Sequence, residues 1–188
     1  MKQNTFVLKG DLCYSAAPNR LETMPGGFWV VEDGRSAGVF RALPERYQSL
    51  PLLDWTGKLV IPGLVDLHLH APQYALRGLG MDLELLEWLE QQVFQEESRY
   101  QDLEYARAAY TIFAQDLRRS PTTRACIFAT AHTQATRLLM DCMEETGLVS
   151  YVGRVNMDRN CPDGLRERDA QTAAQDTLAW LDDTTGRY

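Results

Sequence analysis

His68-Leu69-His70 closes an extended apolar run, 64–70, in a chain of 188 residues. Residues two apart on a strand leave the same face, so both imidazoles point one way. Neutral imidazole is a good ligand for Zn²⁺ and also for iron. The same spacing fits two histidines that are merely exposed beside a loop. Asp66 lies two residues before His68 and shares its face under strict alternation. There it would orient a ligand ring or face a neighbouring backbone. His132, the third and last histidine, falls just past a second strand end and reads as a structural, hydrogen-bonding residue.

The elements that must carry these residues follow from the pattern of apolar residues and breakers. Residues 1–60 read as short strands at 5–8, 28–32, 37–41 and 58–61. Asp33-Gly34 supplies a turn, and prolines at 18, 25, 44 and 51 mark loops. This is little material for an independent core. After Pro62-Gly63 the pattern changes to alternating strands and helices. Strands are expected at 64–70, 125–130 and 149–157. Helices are expected at 83–94, at 102–118 and at 134–146, with Gly147 as a left-handed stop. A last helix runs from 164 or 165 to 182. That order implies parallel βα units. Three such units do not close a (β/α)₈ barrel, which takes eight strands and about 250 residues.

Four runs carry a resemblance. Residues 61–70, Ile61-Pro62-Gly63-Leu64-Val65-Asp66-Leu67-His68-Leu69-His70, resemble the first barrel strand of the amidohydrolase superfamily. His70-Ala71-Pro72-Gln73-Tyr74 resembles the H-A-x-Q-Y run of the guanine deaminases within it, and Leu85-Leu86-Glu87-Trp88-Leu89 their L-L-x-W-L helix. Phe128-Ala129-Thr130-Ala131-His132-Thr133 and the run 153–160 resemble stretches at their second and third strands. The likeness extends over about 59–181. It departs at Gln95, where the family has proline, and at Ser120-Pro121-Thr122-Thr123-Arg124, where the family has G-T-T-T.

The resemblance implies an α/β fold class: the first three βα units of an amidohydrolase-type barrel (61–188), incomplete in this chain, preceded by part of a small β-sandwich domain (1–60). It implies one Zn²⁺ per subunit, with iron as the other candidate, held here by His68 and His70. Substrate contacts would come from His70, Ala71, Pro72, Gln73 and Trp88. A carboxamide at Gln73 both donates and accepts, which suits the mixed edge of guanine; a loop-capping bond is the plainer role. Trp88 would wall the pocket, or else serve as core on an amphipathic helix. The family's proton-shuttling glutamate, remaining ligands and base-reading arginine come from later strands. No catalytic residue is therefore expected within these residues, and the chain alone is expected to be inactive. The implied partners are guanine and water, and the family is often homodimeric. The alternatives are another amidohydrolase-type deaminase or a non-catalytic binding or assembly module.

Composition is ordinary for a soluble globular protein. Apolar residues make up 45% and charged residues 24%. The net charge of −7 argues against a nucleic-acid backbone as partner. No apolar run approaches the ~20 residues of a membrane span, and no signal-peptide core is visible, so a cytoplasmic location is expected. The four cysteines form no C-x-x-C pair and read as reduced thiols.

Overall fold

A computed structural model describes residues 4–188. The chain divides between Pro62 and Gly63 into two compact units. In the first, strands β1 (Phe6–Ala17), β2 (Arg20–Glu32), β3 (Arg35–Phe40) and β4 (Leu52–Val60) form one sheet in the order β3-β2-β1-β4. β1 and β2 pair antiparallel from Phe6↔Val31 to Ala17↔Arg20, and β4 lies parallel to β1. These strands outrun the apolar stretches that announce them. The backbone ladder continues through exposed polar residues such as Arg20 and Thr23, whereas apolar patterning marks only the buried part. Val7, Val30 and Tyr47 are buried, with Phe28, Phe40 and Leu43 packed on them, so this unit has a small core of its own.

The second unit is a parallel sheet, β5 (Leu64–His70), β6 (Thr122–Phe128) and β7 (Val149–Gly153), in that order. Helix α3 (Leu103–Arg119) lies in the chain between β5 and β6, α4 (Thr133–Thr146) between β6 and β7, and α5 (Ala170–Thr184) after β7. The α/β class expected from the alternation is what this unit has. Ala125 and Ile127 of β6 share one buried cluster with Tyr110 and Phe113 of α3 and Leu139 and Met143 of α4. The Asp102 side chain caps α3 by accepting from the N–H groups of Glu104 and Tyr105. Gly147 ends α4 with a positive φ of 71°, which costs glycine nothing. On the outer strands, Leu67 and Tyr151 are 76% and 71% exposed.

Three elements depart from the sequence expectation. The segment read as one helix over 83–94 is a composite: α1 (Leu85–Trp88), a π-turn (Leu89–Val93), α2 (Phe94–Ser98) and a 3₁₀ turn (Arg99–Gln101). The third strand stops at Gly153 rather than 157. The Arg154 side chain is nearly buried. It donates to Thr133 Oγ1 at 3.1 Å and Thr177 Oγ1 at 3.0 Å and pairs with Glu167. That network takes the chain out of the sheet. The last helix begins at Ala170, because the Asp169 carboxylate accepts from the Thr172 N–H at 2.7 Å and caps it there.

β5 enters the sheet through a close approach. A Cβ on Gly63 would overlap the side chain of Thr123 on the neighbouring strand, while the Leu64 N–H donates to the Pro121 carbonyl at 2.9 Å. Gly63→Ala should therefore destabilise the protein by about 1–3 kcal/mol, the usual cost of overpacking. In urea unfolding, Gly63→Ala/Thr123→Ala should recover part of that loss. A neutral Gly63→Ala would show that the approach is not tight.

Candidate active site

His68 and His70 stand at the C-terminal end of β5. Their ring centres are 5.0 Å apart, and both rings pack on Phe128 of β6, His70 stacked at 4.9 Å and His68 tilted at 5.1 Å. The geometry is not that of a regular strand. Asp66 is opposite Ala125, yet Leu69 is opposite Ile127, so β5 spends one residue more than β6 over this interval. Such bulges re-aim side chains beside sites. The slip also corrects the placement of Asp66: its register sets it with buried Ala125, and its Oδ1 accepts from the backbone N–H of His68 at 3.1 Å. Of the two roles open to it, Asp66 takes the backbone one.

Burial lowers the pKa of His70, and the neighbouring His68 adds to the effect. That shift favours the neutral ring, the form that binds metals. Two imidazoles on one tetrahedral zinc, with Zn–N bonds of about 2.1 Å, keep their centres roughly 5 Å apart. The pair fits that demand. Among the described residues no cluster of three or more His, Cys, Asp or Glu side chains is poised for a metal, so His68 and His70 supply two donors and no third.

Both histidines line an open cavity of about 600 Å³, together with Gln73, Tyr74, Arg77, Leu79, Met81, Leu85 and Trp88. No carboxylate belongs to this wall. Gln73 and Trp88, two of the expected substrate contacts, thus line the cavity. Ala71 and Pro72 do not: both are buried and outside the wall. The Ala71 N–H donates to the Phe128 carbonyl at 3.1 Å, and the Pro72 carbonyl accepts from the Tyr100 hydroxyl at 3.1 Å. They hold the turn at Pro72–Leu76 instead of touching the cavity.

Trp88 is half-buried, and its indole N–H donates to the Leu79 carbonyl at 3.1 Å. Gly80, at φ 64°, lies so close that a Cβ there would come within 2.9 Å of the Trp88 ring. The indole therefore pins the 79–80 loop as well as lining the cavity. Tyr74 is held by its hydroxyl, which donates to Asp116 Oδ2 at 2.7 Å. The Arg77 guanidinium lies 3.8 Å from the centre of the Tyr74 ring, a cation–π contact. That hydrogen bond to Asp116, aided by burial, raises the Tyr74 pKa.

Sequence reasoning missed Glu97. It is 3% exposed and accepts from Gln73 Nε2 at 3.2 Å. At ordinary helical pitch, nine residues separate Trp88 and Glu97 by roughly half a turn, on opposite faces. The π-turn between them breaks that count, so no periodicity in the sequence marks Glu97. His132 also differs from expectation. Its Nε2 is buried and makes no hydrogen bond among the described residues. Burial first, and then the Arg154 charge, lower its pKa.

The model of the amidohydrolase family matches residues 59–186, and the chain belongs to that family. Among its relatives are guanine deaminases. That of Dictyostelium discoideum is 31% identical over 92% of this chain and 42% of its own. That of Escherichia coli K12 is 43% identical over 62% of this chain and 26% of its own. The crystal structure of guanine deaminase from C. acetobutylicum, with guanine bound in its active site, superposes with a TM-score of 0.91. It is 37% identical, over 98% of this chain and 44% of that one. The chain spans less than half the length of each of these proteins.

Burial raises the Glu97 pKa from 4.5 to about 7, against the opposing hydrogen bond from Gln73. The folded protein then keeps a proton that the unfolded chain releases near pH 4.5, so stability falls as pH rises from about 4.5 to 7. The loss is on the order of 3 kcal/mol at most. Denaturant unfolding at pH 5 and pH 8 should show this slope, and Glu97→Gln should remove it. Parallel slopes in the two proteins would mean that Glu97 titrates normally.

Proposed function

We propose that this chain carries part of the metal- and purine-binding site of a guanine deaminase, whose overall reaction converts guanine and water to xanthine and ammonia. The observation that carries this reading is the paired imidazoles of His68 and His70, facing the same cavity as Gln73. The bound guanine of the C. acetobutylicum relative, at 37% identity, supports the choice of ligand. The finer architecture belongs to the same proposal: residues 61–188 as the first part of a (β/α)₈ barrel and 1–60 as part of a small β-sandwich.

His68 and His70 would hold a divalent ion, with zinc the natural choice for neutral nitrogen donors. Bound there, it would supply Lewis acidity and an activated water for hydrolysis. The chain's own residues do the rest of what is described. Phe128 fixes both rings. Gln73 presents a carboxamide to the ring edge of the ligand. Trp88, Leu85 and Met81 offer an apolar wall of the kind that flat aromatic ligands prefer. A cavity free of carboxylates suits a neutral base that carries carbonyl oxygen. No group in the wall is placed to shuttle a proton from water to the leaving amine.

Zinc titrated into the purified chain, followed by competition with a chromophoric chelator, should bind with about 1:1 stoichiometry. His68→Ala and His70→Ala should each weaken it at least ~10-fold, as expected for losing one of two donors. Binding that survives both substitutions would remove the metal assignment. Against a panel of guanine, cytosine and adenosine, the chain should prefer guanine, and Gln73→Ala should erase the preference. Equal binding of all three would remove the purine reading.

The 188-residue chain incubated with guanine and zinc should release no ammonia, because it supplies two metal donors and no proton shuttle. Turnover above background that disappears in His68→Ala would prove this wrong.

A further inference from the structure

The cavity wall has a second layer behind Gln73. Glu97 is 3% exposed, and next to it in the fold Tyr100 and Tyr110 are 1% and 0% exposed. Both phenols are pushed above their ordinary pKa, chiefly by burial, with the charge of Glu97 contributing. A carboxyl is costly to bury here, and an apolar side chain would fill the space without that cost. Its hydrogen-bond partner is the side chain of Gln73, which itself lines the cavity. The Gln73 side chain makes no other hydrogen bond among the described residues. The backbone beside it is held from the same quarter, because the Tyr100 hydroxyl donates to the Pro72 carbonyl at 3.1 Å.

A carboxamide left to itself presents either end, since its oxygen accepts and its nitrogen donates. Above pH 7, past its raised pKa of about 7, Glu97 is ionised and only accepts. It therefore selects the NH₂ end of Gln73 and leaves the carbonyl oxygen uncommitted. We propose that Glu97 is a positioning residue: it fixes the Gln73 carboxamide with nitrogen toward the wall and oxygen available to the cavity, so that the site favours a ring offering an N–H donor at that point. This deepens, and rests on, the reading of the cavity as a purine site. Guanine, with its ring N–H and amino N–H groups, meets the requirement. A ring that offers only a bare acceptor at that position does not.

The test observes Gln73 directly. In the ¹⁵N-labelled full chain at pH 8.5, the side-chain amide pair of Gln73 is assigned by its disappearance in Gln73→Glu. One of its protons should be displaced downfield by the carboxylate, and Glu97→Gln should return it to the ordinary amide position. Glu97→Asp, which keeps the charge but shortens the reach, should do the same and serves if the glutamine variant fails to fold. A Gln73 pair that ignores both substitutions overturns the proposal. Guanine titrated into the same samples should bind roughly 10-fold more weakly to Glu97→Gln, the loss expected for one oriented hydrogen bond. Equal guanine affinity in wild type and Glu97→Gln overturns the positioning role and leaves the purine reading intact. A Gln73 pair that responds to Glu97 in a protein that guanine does not perturb has the opposite meaning: the positioning stands and the purine reading falls.

Discussion

Two imidazoles can share one ion only if the backbone delivers both to the same side within a few ångströms. In this chain that delivery depends on β5 being clamped to β6 in a parallel register that slips by one residue between Asp66 and Leu69, across His68. The slip turns the strand end, the Asp66 carboxylate satisfies the His68 N–H, and Phe128 provides a flat surface against which both rings settle. The apolar layer on the other side makes the clamp rigid. Ile127 and Leu139 are almost wholly buried, and interiors packed to this degree resist displacement. The site is thus a consequence of sheet register first and of side-chain chemistry second.

The second constraint is the path of the chain between β5 and α3. It must return from the strand end, wall the cavity and reach the next helix. It does so with a 3₁₀ turn, a glycine loop and a helix interrupted by a π-turn. Each irregularity has a contact that sustains it. The Trp88 indole holds the loop at Leu79, the Tyr100 hydroxyl holds the turn at Pro72, and Asp116 holds Tyr74. π-Turns inside helices cost hydrogen-bond quality and concentrate at functional sites. Here the π-turn lets one segment send Trp88 to the cavity and Glu97 to the residue that lines it.

What the sequence made legible follows from where regular geometry holds. Alternation in 64–70 and three- and four-residue spacing in α3 reveal the parallel α/β layout and most of its core. Ala106, Tyr110 and Phe113 are buried as that spacing requires, although Leu103 at the start of α3 is 45% exposed. The His68/His70 pair was legible for the same reason, since residues two apart on a strand end meet on one side. Alternation failed for Asp66, where a single extra residue reverses the face. Helical counting failed for Glu97, where the π-turn changes the phase. The end of β7 and the start of α5 were missed because both are set by polar side chains, Arg154 and Asp169, whose partners are distant in sequence or sit on local caps. Apolar periodicity carries no information about either.

Charge is distributed in a way that bears on what the cavity accepts. The chain carries seven more acidic than basic residues, yet the cavity wall holds Arg77 and two histidines and no carboxylate. Acidic groups near the site are withdrawn from it. Asp116 is occupied by the Tyr74 hydroxyl, Asp66 by a backbone N–H, and Glu97 lies behind Gln73. A negative charge open to the cavity would favour a protonated, non-ligating imidazole. Removing carboxylates from the wall, or binding them to a partner, favours neutral imidazole, the direction in which burial already moves His70. The same withdrawal leaves the amide of Gln73 as an uncharged hydrogen-bonding group in the cavity wall. A neutral heterocycle therefore finds polar complementarity there without having to compensate a fixed charge, whereas a cationic ligand would meet Arg77 with no carboxylate to oppose it.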